Sequence, residues 1–592
     1  MIQNRRGLLL LVRSLALTST IAVLVAVTVL AVRPSFKGTR AGHLDADYVK
    51  SRSCLACHTD HFASWSRTFH SRMTQEARPD SVQGDFDRNN AYEYLGFKAH
   101  MERRGDHFSM TLTYPDGRSE SHSIDRTVGS RRIEQYLTRR TGQYVRLPVA
   151  YDLVNRRWMS LNGSFFHPDG DNYFQHQTQW DSNCVFCHNV KAQPNLDAGS
   201  QKFDTEVAEL GVACGACHGA AADHAEAASS PLTRSLWRLS RSSETHIINP
   251  SKLSPERSMM VCGHCHGQRI PAEMGLIQEI FRRGDPYNAG EDLSKFYSVV
   301  TRETRVGDYS FANRFWANGS PRLTAYEYQG ILRSRCFLGA SSDHKINCLT
   351  CHSMHEGDPK GQITAENRTN KPCLACHQEY REDVALAAHT GHKSDSSGSS
   401  CYTCHMPRVV YGVMSVHPTH DITVPDPQLT VTSAVPNACN QCHLDKSLNW
   451  AIDAAKRLWP ARFANTTLAA DEQFNLPEGA RELFAGDALT RALAAEALGG
   501  GGPIKPDPAW AGPLLAEAFR DNYPIVRFFA ANGLANGGWK VVKPDYLGTS
   551  SDRERSANQW RDVFHPESRE RAAALAESLR HKRVDVDIRV GE

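Results

Sequence analysis

Eight copies of one short unit, Cys-x-x-Cys-His, account for 16 of the 17 cysteines in the chain. The two cysteines of a unit lie about one helical turn apart, and a histidine directly follows the second. Thiols at this spacing can add to the two vinyl groups of one haem, and the adjacent imidazole can then bind the iron from the proximal side. The units are Cys54, Cys57, His58; Cys184, Cys187, His188; Cys214, Cys217, His218; Cys262, Cys265, His266; Cys348, Cys351, His352; Cys373, Cys376, His377; Cys401, Cys404, His405; and Cys439, Cys442, His443.

Two other kinds of cysteine pattern compete with this interpretation. Zinc ribbons use paired Cys-x-x-Cys, but nothing in such a site requires histidine after every pair. Disulfide frameworks do not require a fixed two-residue spacing. The regularity of all eight units therefore predicts eight covalently bound haem c groups, with Cys336 left without a haem.

Each predicted iron needs a sixth ligand or an open coordination position. The chain has 27 histidines, so many remain outside the eight units. His264 is omitted because it sits inside its own attachment loop. The candidates for the distal position are His70, His176, His224, His355, His389, His392, His417 and His420. We expect at least seven irons to carry two histidines.

Charge and composition exclude several classes of protein. The 592 residues include 68 basic and 65 acidic residues, a balance that argues against nucleic-acid binding through bulk charge. With 51 Phe, Trp and Tyr residues the chain is not wholly disordered. A polytopic membrane protein is excluded because the sequence contains one long apolar run.

That apolar run lies at the N-terminus. Arg5, Arg6 and Arg13 precede 18 uncharged residues from Leu15 to Val32. This length favours an uncleaved anchor within residues 1–40, with a cleaved signal peptide as the alternative. Either reading predicts export, and the anchor predicts attachment to the periplasmic side of a bacterial cytoplasmic membrane.

The spacing of the units predicts a mainly α fold in which haem supplies much of the core. We expect an octahaem domain over 41–445 with short helices and little regular structure. A small β insertion is predicted at about 92–160, because residues His107 to Tyr114 alternate and a Pro-Asp-Gly turn follows. Residues Asp60 to Met73 predict an amphipathic helix.

After His443 the composition changes, and Ala- and Leu-rich segments replace the cysteines. The segment around Arg491 aligns with the segment around Arg527 at an offset of 36 residues. This period is typical of paired helices in an α-solenoid, and it resembles HEAT repeats. We therefore expect residues 446–592 to form a helical HEAT-like module, with a plain helical bundle as the alternative.

Local strings resemble a known group of proteins. Three strings carry the resemblance: Trp65 to His70 after the first unit, Cys348 to His355, and Cys401 to Pro407, which has His389 before it and His417 and His420 after it. They resemble strings of the superfamily that includes cytochrome c-554, octahaem hydroxylamine oxidoreductase and pentahaem nitrite reductase. Large multihaem cytochromes that end in helical repeats are similar too. The resemblance implies distal ligands at His70, His224, His355, His389 and either His417 or His420. The sequence has no Cys-x-x-Cys-Lys unit, which pentahaem nitrite reductases typically carry.

Three functions follow from these features. The first is an exported electron carrier with mostly bis-histidine haems, whose partners are other redox proteins or quinol-linked membrane complexes. The second is an octahaem reductase or oxidase of small nitrogen or sulfur species, such as nitrite or hydroxylamine, with one open haem. The third is a scaffold that docks a protein partner through the C-terminal helices. We favour the electron carrier.

Overall fold

The computed structural model describes residues 47–592 except for 171, 173–178, 241–244, 324, 342–344, 360, 540–544 and 589–592. The predicted N-terminal anchor and the candidate ligand His176 therefore lie outside the described residues. Residues Tyr48–Glu592 form one compact unit, to which the description below refers. In the described part of the chain no helix is long and apolar enough to cross a membrane.

Two antiparallel sheets occupy residues 74–160, a longer stretch than the predicted insertion. One has five strands in the order β1-β6-β7-β8-β9, and the other has four in the order β2-β3-β4-β5. The strands are β1 Thr74–Glu76, β2 Ala91–Tyr94, β3 Phe97–Arg104, β4 His107–Thr113, β5 Ser119–Ser123, β6 Arg126–Val128, β7 Ile133–Arg140, β8 Gln143–Asp152 and β9 Arg157–Ser160.

The alternation in β4 explains its orientation. Phe108, Met110 and Leu112 are buried, whereas the residues between them are partly exposed. Period-two burial of this kind is what one face of a sheet requires. Gly117 has a φ of +84° in the turn that follows, a conformation that favours glycine.

Short helices and two-stranded ladders carry the eight Cys-x-x-Cys-His units. The helices are α1 Thr59–Trp65, α2 Val185–His188, α3 Cys214–His218, α4 Ala222–Ser229, α5 Pro231–Ser240, α6 Pro255–Gly263, α7 Leu276–Arg283, α8 Glu327–Arg333, α9 Arg335–Leu338, α10 Lys371–Leu374, α11 Asp383–Thr390, α12 Cys401–His405 and α13 Gln428–Ser433. The ladders pair β10 Asn189–Gln193 with β11 Glu206–Leu210, β12 Arg269–Pro271 with β13 Tyr297–Val299, β14 Arg305–Val306 with β15 Tyr309–Ser310, and β16 Arg408–Tyr411 with β17 Ser415–Pro418.

The predicted helix over Asp60 to Met73 is wrong in its second half. Helix α1 ends at Trp65, and a separate 3-10 turn covers His70–Arg72. The hydroxyl of Thr68 donates to the Trp65 carbonyl at 2.7 Å, and the Ser71 hydroxyl donates to the Thr68 carbonyl at 2.9 Å. Side-chain bonds of this kind compete with the helical backbone and favour a turn.

The C-terminal part is helical. Its helices are α14 Leu448–Leu458, α15 Pro460–Phe463, α16 Glu478–Ala485, α17 Ala488–Glu496, α18 Pro508–Ala518, α19 Pro524–Asn536, α20 Ser550–Arg561 and α21 Pro566–Arg580. Proline stands at the start of α18, α19 and α21, where its missing N–H costs no helical bond. The two aligned arginines, Arg491 and Arg527, lie on α17 and α19, and both are fully buried.

One hydrophobic core joins the C-terminal helices to the sheets. It includes Phe86 and Leu161 from the β region together with Leu489, Phe529 and Trp560 from the helices. The structure is 40% helical and 17% strand, so the fold is mixed rather than mainly α. The strand content is higher than expected because the β region forms two full sheets that share this core.

Candidate functional site

Each Cys-x-x-Cys-His unit forms a single helical turn. In six units the histidine N–H donates to the carbonyl of the first cysteine at 2.8–3.0 Å. The other two units, beginning at Cys214 and Cys401, lie in α3 and α12. The turn places both thiols and the imidazole of a unit at one local surface, as attachment to a single haem requires.

All eight units line one continuous cavity of about 3950 Å³. A pocket for one small molecule takes about 300–1,000 Å³, so this cavity is several times larger. Its walls contain the unit cysteines other than Cys57 and all eight unit imidazoles, together with candidate distal histidines. The chemistry and size of the cavity therefore fit a set of neighbouring haem groups.

Six unit histidines face a second histidine across this cavity. An imidazole nitrogen binds a metal ion at about 2.0–2.1 Å, so two rings on opposite sides of one ion have centroids roughly 6 Å apart. The observed centroid distances are 6.3 Å for His58–His224 and His218–His355, 6.2 Å for His352–His420, 6.1 Å for His405–His389 and His443–His392, and 6.0 Å for His266–His70.

Backbone carbonyls orient several of these rings. The Nδ1 atoms of His218, His352 and His405 lie 2.7–2.9 Å from the carbonyl oxygens of Ile248, Gly361 and Thr423. The Nδ1 atoms of His224 and His392 have similar carbonyl partners at 2.7 and 2.8 Å. When Nδ1–H donates to a carbonyl, the lone pair on Nε2 is free for a metal ion.

The His266–His70 pair has a different geometry from the other five. Its rings are tilted by 72°, whereas the other pairs are within 26° of parallel. Burial, helped by the neighbouring His266, lowers the pKa of His70 to about 4. The ring is therefore neutral at ordinary pH, the form in which imidazole binds metals.

Within the described residues, the rings of His188 and His377 do not face a second histidine in this way. His188 is half-buried near Arg146 and His266, and the candidate distal ligand His176 lies outside the described residues. The nearest ring to His377 is Tyr380, at 6.5 Å between centroids, and Tyr380 stacks on His389 at 4.2 Å. These two units differ from the other six.

His417 lines the cavity from strand β17 without facing a unit histidine among the described residues. Its Nε2 lies 3.0 Å from the Ser415 hydroxyl, and the Tyr411 ring meets it edge-on at 5.1 Å. Burial lowers the pKa of His417 to about 4, and the nearby Arg131 guanidinium lowers it further. Of the two alternatives His417 and His420, it is His420 that faces a unit histidine.

Sequence reasoning missed His61. It follows His58 by three residues, as His355 follows His352, and its ring stacks on His355 at 4.3 Å. It also lies 6.0 Å from His58 with 4° between the ring planes, so the His58 ring has two histidines, His61 and His224, at a comparable distance. The repeated Cys-x-x-Cys-His-x-x-His string is the signal that could have identified it. His264, which the sequence analysis omitted, instead pairs with Asp285 at 2.6 Å.

Cysteines of different units meet each other along the cavity. The side chains of Cys54 and Cys214, Cys187 and Cys265, Cys262 and Cys348, and Cys373 and Cys401 lie close enough to shift each other's thiol pKa. Cys217 is close enough to Cys262, Cys351 to Cys373, and Cys404 to Cys439 for electrostatic interaction. The attachment sites are therefore neighbours even where the sequence separates them by more than a hundred residues.

Comparisons with known proteins give a coarse classification. No protein-family model matches the chain. A curated relative, the cytochrome c-type protein NrfB of Escherichia coli, is 24% identical over 136 residues, which is 23% of this chain and 56% of NrfB. The chain thus spans about half the length of this relative. The crystal structure of outer cell wall cytochrome OcwA aligns with a TM-score of 0.46 and 15% identity, over 88% of this chain and 100% of OcwA. The sequence match supports a c-type cytochrome as the class of protein.

Proposed function

We propose that this chain is an electron-transfer protein that binds eight haem c groups, one at each Cys-x-x-Cys-His unit. The 16 unit cysteines attach the groups, and the eight unit histidines provide the proximal ligands. The distal ligands are His224 opposite His58, His355 opposite His218, His70 opposite His266, His420 opposite His352, His389 opposite His405 and His392 opposite His443. The observation that carries the proposal is the set of six facing histidine pairs inside one cavity lined by all eight units.

Bound haem c supplies reversible one-electron redox chemistry. The chain holds two imidazoles at a fixed separation in each of the six pairs. Carbonyl partners orient five of the twelve rings, those of His218, His224, His352, His392 and His405. His176, outside the described residues, remains a candidate for the seventh pair.

The contacts between units support a defined order of attachment sites. Numbering the units along the chain, unit 1 meets unit 3, unit 3 meets unit 4, unit 4 meets unit 5, and units 5 to 8 follow in sequence order. Unit 2 joins as a branch at unit 4 through Cys187 and Cys265. A series of adjacent redox sites is what electron transfer across a protein requires.

The proposed setting follows from the sequence. We propose export, with residues 1–40 as an anchor or a signal segment, and redox proteins or quinol-linked membrane complexes as partners. The haem-bearing region spans 41–445 in this proposal, and residues 446–592 form a HEAT-like module that can dock a protein.

Electron paramagnetic resonance of the oxidised holo-protein tests the proposal. Six or more low-spin signals per chain are expected, since two imidazoles make ferric haem low-spin. Fewer than six would contradict the ligand pairs. A reduced protein that returns all its electrons to an external oxidant in one rapid phase would agree with adjacent sites.

A second function, reduction of a small anion such as nitrite, is favoured by the surroundings of His417. This ring, Arg131 and Tyr411 line the cavity together, and they offer a cation and hydrogen-bond donors. Nitrite titration of the ferric protein, followed by its visible spectrum, distinguishes the functions. Binding at one haem that His417→Ala weakens at least ten-fold would support a reductase, and no spectral change would leave the electron carrier.

A further inference from the structure

Helix α5 carries an exposed apolar stripe. Leu232, Leu236 and Leu239 are 68%, 47% and 83% exposed, and their i, i+4, i+7 spacing aligns them on one face. No residue of α4 or α5 is buried, so both helices of this hairpin lie at the surface. The helix contains two arginines, Arg234 and Arg238, and no acidic residue.

The opposite face of α5 holds the hairpin to the candidate haem site of unit 1. The Trp237 ring stacks on His224 with 5.5 Å between centroids and 6° between planes. His224 in turn faces His58. The Arg234 guanidinium donates to the carbonyls of Ala228 and Ser229 at the end of α4, so the two helices are tied together. The leucine stripe therefore lies outward of the first member of the series of sites.

The base of this hairpin lies beside the start of the compact unit. Gly215 of α3 packs closely against the Tyr48 ring, since a Cβ atom added at Gly215 would lie 3.1 Å from that ring. The Tyr48 hydroxyl donates a hydrogen bond to the Asn288 side chain at 3.4 Å. Ile248, where the chain returns from the hairpin, packs on Gly290 and accepts a hydrogen bond from His218. Only the 15 residues 33–47 separate Tyr48 from the 18-residue uncharged run of Leu15 to Val32.

We propose that α5 lies in the head-group region of a lipid bilayer, with its three leucines inserted and Arg238 at the phosphates. A short amphipathic helix with leucines on one face and basic residues beside them is suited to this position. A chain of 15 residues spans at most about 3.6 Å per residue, so a membrane-inserted run of Leu15 to Val32 would keep this end of the molecule near the bilayer. The consequence for electron transfer, that unit 1 is the membrane-side site, rests on the proposed function.

Photo-crosslinking tests this surface. The full-length holo-protein is reconstituted in phosphatidylethanolamine–phosphatidylglycerol vesicles that contain a diazirine lipid, and crosslinked peptides are mapped by mass spectrometry. Crosslinks within 231–240 are expected, and Leu236→Gln/Leu239→Gln should reduce them at least five-fold. The matched control Leu338→Gln/Leu468→Gln replaces two leucines of similar total exposure elsewhere, and should leave the crosslinks unchanged.

Two results would overturn the proposal. One is lipid labelling that avoids 231–240 or persists in the Leu236/Leu239 variant. The other is chemical crosslinking of 231–240 to a second copy of the chain, which would make the stripe a self-association surface. The haem content and visible spectrum of each variant are measured in parallel, so that loss of haem binding is distinguished from loss of membrane contact.

Discussion

At the scale of single residues, the histidines that face each other determine which irons can carry two imidazoles. The His389–His405 and His392–His443 pairs join residues that are 16 and 51 positions apart, and proximity in sequence made His389 and His392 candidates. The His218–His355 pair joins residues 137 positions apart. No local pattern encodes such a contact, because it depends on how the whole cavity is assembled.

Replacing His389 by Ala tests one pair. The rings of His389 and His405 are nearly parallel, at 4°, and 6.1 Å apart. Removal of one ligand should convert one additional haem to a high-spin, carbon monoxide-binding form and leave the spin state of the other haems unchanged. Paramagnetic resonance and carbon monoxide titration measure the change.

His107→Ala is the matched control, because His107 is exposed on β4 away from the cavity. It should leave the spectrum unchanged. A His389→Ala protein with the same number of high-spin haems as the wild type would show that another group binds this iron.

At the scale of elements, buried arginines connect the C-terminal helices to the rest of the molecule. Asp169 accepts hydrogen bonds from Tyr94 of β2, Arg527 of α19 and Arg553 of α20. Arg491 of α17 pairs with Asp521 at 2.8 Å. The sequence repeat predicted that Arg491 and Arg527 occupy equivalent places. It could not predict their partners, since Asp169 is 358 residues from Arg527.

Replacing Asp169 by Asn should destabilise this junction strongly. The change leaves the fully buried Arg527 guanidinium without its carboxylate, which costs about 3–5 kcal/mol. Urea unfolding followed by far-ultraviolet circular dichroism should show a lower midpoint.

The exposed Asp80→Asn change is the control for Asp169→Asn and should alter stability by less than about 0.5 kcal/mol. Equal midpoints for Asp169→Asn and the wild type would contradict the role of Asp169 as a junction.

Helix α16 contains a pH-sensitive carboxyl group. Burial raises the pKa of Glu482 to about 8, and the neighbouring Glu478 carboxylate adds to the effect. The folded state therefore binds a proton that the unfolded state has released above pH about 4.3, so stability falls as pH rises towards 8. Glu482→Gln should remove this dependence. The fall in the free energy of unfolding from pH 6 to pH 8 should therefore be smaller in the variant than in the wild type by roughly 2 kcal/mol.

Thermal unfolding at pH 6 and pH 8 measures this difference. Glu577→Gln, an exposed change on α21, should keep the wild-type pH dependence. If Glu482→Gln shows the same fall in melting temperature from pH 6 to pH 8 as the wild type, Glu482 is not the group responsible.

At the scale of the whole molecule, the cavity and the shared core have different origins. Strand alternation and helix composition predicted β4 near its observed bounds and the helical C-terminal part, since both depend on local periodicity. The junction between sheets and helices depends on contacts such as Leu161 with the C-terminal core, which have no local signature. The order of the units, with unit 2 as a branch, also arises only in three dimensions.

The central claim is that one cavity holds a haem at each of the eight units. Intact-protein mass spectrometry of the denatured holo-protein tests it most directly, because thioether bonds survive denaturation. Eight haem increments on the mass of a single chain are expected. A reproducible count of six or fewer would contradict it.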